Sequence, residues 1–454
     1  MRPGGRRQEQ PGRNLRTTQE HDLARVIEID AAASGACDRQ AYGREGGAGA
    51  DQGPRQGQVP RCVQGSRQAV MMGGRRQRGV KGSRNKRAAR SVALGVSLLL
   101  LSAIVVGAGR EPQRASGEDP FLDGLARDTW AYLSSDWATA NHLPWSWRSE
   151  TSSGGDYANT AEIGLYALAW LAAYDLQRPW SPSWAEAEDE VGAVLDRLRA
   201  WQTGSQAYQP HGPNAYGDSV FYQWYWISWD PPVVGGGAAD HVVPSIDNAW
   251  LALSLVTIRE YAQAHGHAAL AQKADDVLSD MDFTLWYHPG THRFTWGATE
   301  DPQGGGEADY YSNENRIINF VARALGQLST EEFRLSLEAL EQPSGTYKDI
   351  TVDKVAWDGS YFTYGSPALF IREMGTAHGT GTILPATQAQ IAYAQDQGYQ
   401  AWGLSDCFDV GDGGYVQQGA PPAARPGPTE TRPGLVTPHA SALALRVRSR
   451  LRRP

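Results

Sequence analysis

The chain has 454 residues and a net charge of −8, a length that allows one large domain or two to four ordinary ones. Its charge is uneven: residues 1–90 hold 19 Lys and Arg against 8 Asp and Glu, a net of +11, so residues 91–454 carry −19. An acidic body argues against a nucleic-acid partner, and three cysteines, Cys37, Cys62 and Cys407, give neither a disulfide framework nor a cysteine metal site.

Residues 1–70 are rich in Gly, Arg and Gln and show no apolar period, which reads as a disordered basic segment. Met71 or Met72 is then the expected start. A basic stretch follows, then an uncharged run over 91–109 with Gly107 and Gly109 near its end. That pattern is a signal peptide, and its 19 residues also suffice for a single membrane anchor. Either way the acidic body is expected outside the cytoplasm, secreted or periplasmic, or held at the membrane by this one segment. Residues 110–119 form a polar linker. Residues 446–454 form an atypical basic tail, so that the last helix is expected to be short of its full length.

Between 120 and 445 helical segments alternate with long loops. Phe121, Leu122, Leu125, Thr129 and Tyr132 fit one helical face. In 159–176 Asn159 or Thr160 caps a nearly all-apolar helix with Ile163, Tyr166, Ala167, Trp170 and Tyr174 on its stripe. A charged amphipathic helix follows Pro182. An apolar helix followed by a charged one points to an inner and an outer layer. The segment 221–232 is a short strand or an aromatic loop. The stretch 238–256 places Asp240 on a Gly-rich loop and Asp247 at the mouth of a long helix, with Ser245 expected as its cap and Ile246, Trp250, Leu253 and Thr257 along one face. A charged partner helix covers 267–282, and 283–297 reads as a hairpin around Pro289-Gly290. In 307–328 Ser312 is the expected cap and Glu314 falls in the first turn, repeating the arrangement at Asp247. An amphipathic stretch near 330–341 and an Ala/Gln-rich helix near 385–397 complete the helical pattern.

The stretches NTAEIGLYALAWLAA, DHVVPSIDNAWLALSL, DYYSNENRIINFVARALG, AWGLSDCFDVGDGGY and GLVTPHASALAL occur in this order. Together they resemble the glucoamylase-like glycoside hydrolases, the group that includes the endo-β-1,2-glucanases of family 144 and the related domain of cyclic β-1,2-glucan synthases. The resemblance covers roughly 120–445. It implies an all-α fold, an (α/α)6 barrel or toroid of six inner and six outer helices, incomplete here at the C-terminus. It implies that Asp240, Asp247 and Glu314 line a sugar cleft. Thr363 stands where many relatives carry Glu, and Asp406 stands in the WGLSD motif where others have Glu, Ala or Ser.

Glycoside hydrolysis requires one protonated carboxyl and one carboxylate, with no cofactor. The expected function is an exported hydrolase of a β-glucan, β-1,2-linked by resemblance; a transglycosylase on the same glucan and a non-catalytic sugar-binding protein are the alternatives. Glu314 is the candidate general acid, and Asp247 and Asp240 are candidates for the base or for holding the sugar. Glu162 is a weaker substrate-binding candidate, since complementing a helix dipole explains it as well. Trp250, Tyr310, Tyr311, Trp357 and Trp402 are candidate sugar platforms, with a core role as the alternative for each. His241, His288 and His292 are scattered, with His288 and His292 flanking Pro289-Gly290, so no metal site is expected. The expected partner is an oligo- or polysaccharide, bound by a monomer.

Overall fold

The computed structural model describes residues 120–135, 140–146, 157–211, 219–227, 241–409, 415–427 and 429–447. The basic segment, the apolar run 91–109 and Asp240 lie outside the described residues. Among the described residues no helix is long and apolar enough to cross a membrane.

Ten α-helices follow one another among the described residues: α1 (Pro120–Leu133), α2 (Thr160–Asp175), α3 (Trp184–Thr203), α4 (Ser245–Ala264), α5 (Ala268–Leu278), α6 (Arg316–Ala324), α7 (Thr330–Glu338), α8 (Tyr361–Gly365), α9 (Leu384–Asp396) and α10 (Pro438–Leu443). Their packing places one row of helices against a second. In α2 every residue from Ile163 to Ala173 is buried, as a helix without a polar face must be. It packs on α4, which packs on α6. Arg316 of α6 reaches the carbonyls of Thr363 and Tyr364 in α8, and α8 packs on α10. The charged amphipathic helices α3, α5 and α7 and the Ala/Gln-rich α9 lie against this inner row. Helices α2 and α4 approach closely at Gly164, where a Cβ would stand 2.9 Å from Ser254 Cβ.

Local chemistry explains the helix starts. Asn159 accepts from the Ala161 N–H (2.7 Å), while Glu162 accepts from the Asn159 N–H (3.0 Å). Ser183 with Glu186 and Ser329 with Glu332 repeat that box on α3 and α7. Two expected caps are corrected. Pro244, not Ser245, precedes α4, and Ser245 is its buried first residue, its hydroxyl turned towards the Trp296 carbonyl (3.5 Å). Helix α6 begins at Arg316, because the Ser312 hydroxyl donates to the Lys354 carbonyl (2.6 Å) instead of capping. Glu314 therefore sits two residues ahead of the helix and not in its first turn. Phe121 is also corrected: it is 73% exposed, and α1 buries Thr129, Trp130 and Leu133.

Four two-stranded antiparallel pairs punctuate the helices. β1 (Tyr157–Asn159) pairs with β2 (Trp224–Trp226), with Asn159 opposite Trp224. β3 (Tyr287–His288) and β4 (Arg293–Phe294) form the expected hairpin. β5 (Gly345–Tyr347) pairs with β6 (Ile350–Val352), and β7 (Cys407–Phe408) with β8 (Tyr415–Val416).

Candidate active site

The N-terminal ends of successive inner helices each bring a carboxyl to one region. Glu162 lies in the first turn of α2 and Asp247 in the first turn of α4; Glu314 lies just before α6, and Asp358 just before α8. Asp406 joins them from a distant loop, its N–H directed at the Ser360 hydroxyl (3.4 Å) at the start of α8. A helix N-terminus favours the ionised form. Burial opposes it here and wins, so each group holds its proton to a higher pH than usual.

Glu314 is pushed up to about 7 by burial; the Trp250 indole N–H, donating to its Oε2 (2.8 Å), pulls the other way, and the carboxylates of Asp247, Asp406 and Asp358 add to the rise. Glu162 is likewise pushed up to about 7, by burial first and with a smaller push from Asp247. Its Oε2 accepts from both the Asn159 N–H and the Ser146 hydroxyl. Asp247 rises to about 6 through burial, against hydrogen bonds from the side chains of Asn159 and Gln223. Since Asn159 Oδ1 is taken by the Ala161 N–H, the arm it turns to Asp247 is the NH2 donor. Asp406 rises to about 6 through burial and the neighbouring Asp358, while the Tyr415 hydroxyl (2.6 Å) and the Gln418 N–H (2.9 Å) bond to it. Burial raises Asp358 as well.

The support beneath Glu314 is rigid. Arg316, fully buried, meets Glu373 through two bonds (2.7 and 3.0 Å) and donates to the carbonyls of Ser312, Asn313, Thr363 and Tyr364. The Asn313 side chain accepts from the Trp357 N–H (3.0 Å), fixing the next loop beside it. Thr363 turns its hydroxyl to the Ser360 carbonyl (2.8 Å).

The aromatic candidates divide. Trp357 is 39% exposed, with the half-buried Tyr310 at 5.6 Å between ring centroids. Trp402 is half-buried, with its ring perpendicular to that of Tyr361 (6.1 Å between centroids). Two expectations are corrected. Trp250 is 3% exposed between Phe362 (5.9 Å) and Phe370 (5.6 Å), so it holds Glu314 and offers no open face. Tyr311 is buried with the Lys354 ammonium 4.0 Å above its ring and His378 at 5.1 Å, so its surface is already covered. The structure thus brings Glu162, Asp247 and Glu314 together and adds Asp406, which the sequence places in the WGLSD motif without a role, and Asp358, which stands in no motif singled out in the sequence. Among the described residues no three His, Cys, Asp or Glu side chains converge as a metal site.

No protein-family profile matches the sequence, and no curated protein matches it. Solved structures do. A candidate glucoamylase of Bacteroides caccae superposes with a TM-score of 0.55 at 17% identity, over 74% of this chain and 84% of that one. The endo-β-1,2-glucanase of Chitinophaga pinensis, solved with sophorotriose and glucose, gives a TM-score of 0.51 at 15% identity, over 65% of this chain and 72% of that one. A candidate glucoamylase of Bacteroides fragilis gives 0.50 at 16% identity, over 67% and 75%. The fold is the glucoamylase-like one. In the glucoamylase-like frame the carboxyl-bearing ends of α2, α4, α6 and α8 are the feature that calls for a chemical explanation.

Proposed function

We propose that this chain is a glycoside hydrolase that cleaves a β-glucan, with a β-1,2-glucan as the substrate to test first. The observation that carries the reading is the carboxyl set around Glu314. Hydrolysis of a glycosidic bond needs a protonated carboxyl beside the leaving oxygen and an ionised one that activates water or attacks carbon. Glu314, with its proton held to about 7, suits the acid. Its Oε2 is fixed by Trp250, so the proton it delivers sits on Oε1. Asp247, at about 6, is ionised at a pH where much of Glu314 is still protonated, and serves as the base or as a sugar contact. Trp357 and Tyr310 supply an aromatic surface for a sugar C–H face.

The inner row α2, α4, α6, α8, α10 and its outer partners support a toroid of the (α/α)6 kind. Export rests on the basic stretch and the apolar run 91–109. The test is incubation of the protein with linear β-1,2-glucan and analysis of the products. Shorter chains support hydrolysis, rearranged chains of the same total length support transglycosylation, and unchanged glucan supports a binding role.

A further inference from the structure

We propose that Glu162 is a hydrogen-bond donor to a sugar hydroxyl in the same cleft, a substrate-binding residue that works only while it is protonated. This rests on the glucan-cleaving reading and deepens it. On sequence grounds Glu162 has only a weak claim, because a Glu at the third position of a helix closes a capping box. The box is present, and it uses only half of the carboxyl. Both donors, the Asn159 N–H (3.0 Å) and the Ser146 hydroxyl, fall on Oε2. An oxygen that accepts from two donors is a poor place for a proton, so when Glu162 is protonated the hydrogen sits on Oε1. Oε1 has no bond to protein among the described residues, and it is not a sealed polar atom, because Glu162 keeps some exposure. Its position follows from the helix order: α2 lies beside α4, and Asp247, in the first turn of α4, is the charged group that faces it. Ser146 and Asn159 supply neutral donors. A capped helix end thus presents a rigid O–H beside the central carboxylate of the site.

Two chemical consequences follow. Below its titration Glu162 donates one hydrogen bond to a sugar hydroxyl. Above it, the ionised carboxyl can only accept, so a sugar oxygen that needs a donor loses its partner, and the carboxylate stands near ionised Asp247. Substrate affinity should therefore fall with rising pH for a reason separate from Glu314. Glu162→Gln separates this from mere capping. The amide oxygen keeps the capping box, which accepts Gln, and the NH2 takes the place of Oε1 as a donor that never titrates.

The experiment has one arm without sugar and one with it. ¹³C NMR of labelled Glu carboxyls, with Glu162 assigned by the signal lost in Glu162→Gln, should show it titrating near 7. A midpoint near 4.5 overturns the proposal whatever the protein binds. Binding of a linear β-1,2-glucan oligosaccharide is then measured by calorimetry at about pH 6 and about pH 8, on either side of that midpoint, on chains also carrying Glu314→Gln to prevent turnover. With native Glu162 the affinity should fall between the two pH values by about 3- to 10-fold more than it does in the Glu162→Gln variant, the worth of one ordinary hydrogen bond. Glu162→Ala should weaken binding at both. Equal pH dependence with and without Glu162→Gln overturns the Glu162 proposal alone. A high Glu162 midpoint with no glucan binding at either pH contradicts the substrate reading, and the proposal with it.

Discussion

The indole N–H of Trp250, on α4, donates to Glu314 Oε2 at 2.8 Å, joining the helix that carries Asp247 to the loop that carries Glu314. The two candidate chemical groups are thereby tied to neighbouring inner helices, near enough for Asp247 to raise Glu314. The bond favours the ionised form of Glu314 and so tempers the rise that burial causes.

Trp250→Phe keeps the ring among Phe362 and Phe370 and removes the donor. Glu314 should then hold its proton to a still higher pH. The alkaline limb of the pH–rate profile should move up, and the rate at its optimum should fall roughly 10- to 100-fold, since a hydrogen bond to a charged group is worth about 1.5–3 kcal/mol. A profile superimposable on wild type would show that this bond does not govern Glu314.

The buried Arg316–Glu373 pair is predicted to be structural. Glu373→Gln leaves a guanidinium without its counter-charge in a fully buried place, and breaking such a pair costs about 3–5 kcal/mol. Urea unfolding should read that loss. A change under about 1 kcal/mol would mean that the carbonyls around Arg316 suffice to hold it.

Much of this architecture is legible in the sequence because it is local. The apolar run of α2, its Asn159 cap, the 287–294 hairpin and the charged outer helices all follow from neighbouring residues. The starts of α4 and α6 are not, at Ser245 and Ser312, because a cap forms only if the hydroxyl has no competing partner, and Trp296 and Lys354 provide one each from far along the chain. Trp250 and Tyr311 resemble platforms in the sequence because it does not say which aromatic faces are covered. Asp406 is visible in the WGLSD motif and Asp358 in no motif singled out, and the proximity of both to Glu314 depends on long-range packing.

Stability should fall as pH rises through the neutral range. Glu162 and Glu314 move from an ordinary 4.5 to about 7 on folding, and Asp247 and Asp406 from 3.8 to about 6. The folded chain therefore binds more protons than the unfolded chain between about 4 and 7. The stability these groups contribute is fully present below their unfolded values and is lost as pH rises through the folded ones. The melting temperature should drop from about pH 5 to about pH 8, and Asp247→Asn should flatten that slope. A slope unchanged in this variant would contradict the burial assigned to Asp247.

Tyr415→Phe removes a donor from Asp406 and leaves the Gln418 N–H in place. Asp406 should then ionise at higher pH and push less on Glu314 at neutrality. Activity at neutral pH should change several-fold while the melting temperature moves little, because Tyr415 is 54% exposed. A large stability loss without a rate change would assign Tyr415 to holding the β7–β8 pair instead.

The most direct measurement is the rate of linear β-1,2-glucan cleavage by wild type and by Glu314→Gln, taken with oligosaccharide binding on the same two proteins. Wild type should release shorter chains. Glu314→Gln should lose about 10²–10⁴-fold in rate, the usual worth of general acid catalysis, with binding largely kept. Cleavage by Glu314→Gln at the wild-type rate, or no cleavage by wild type, would contradict the central claim.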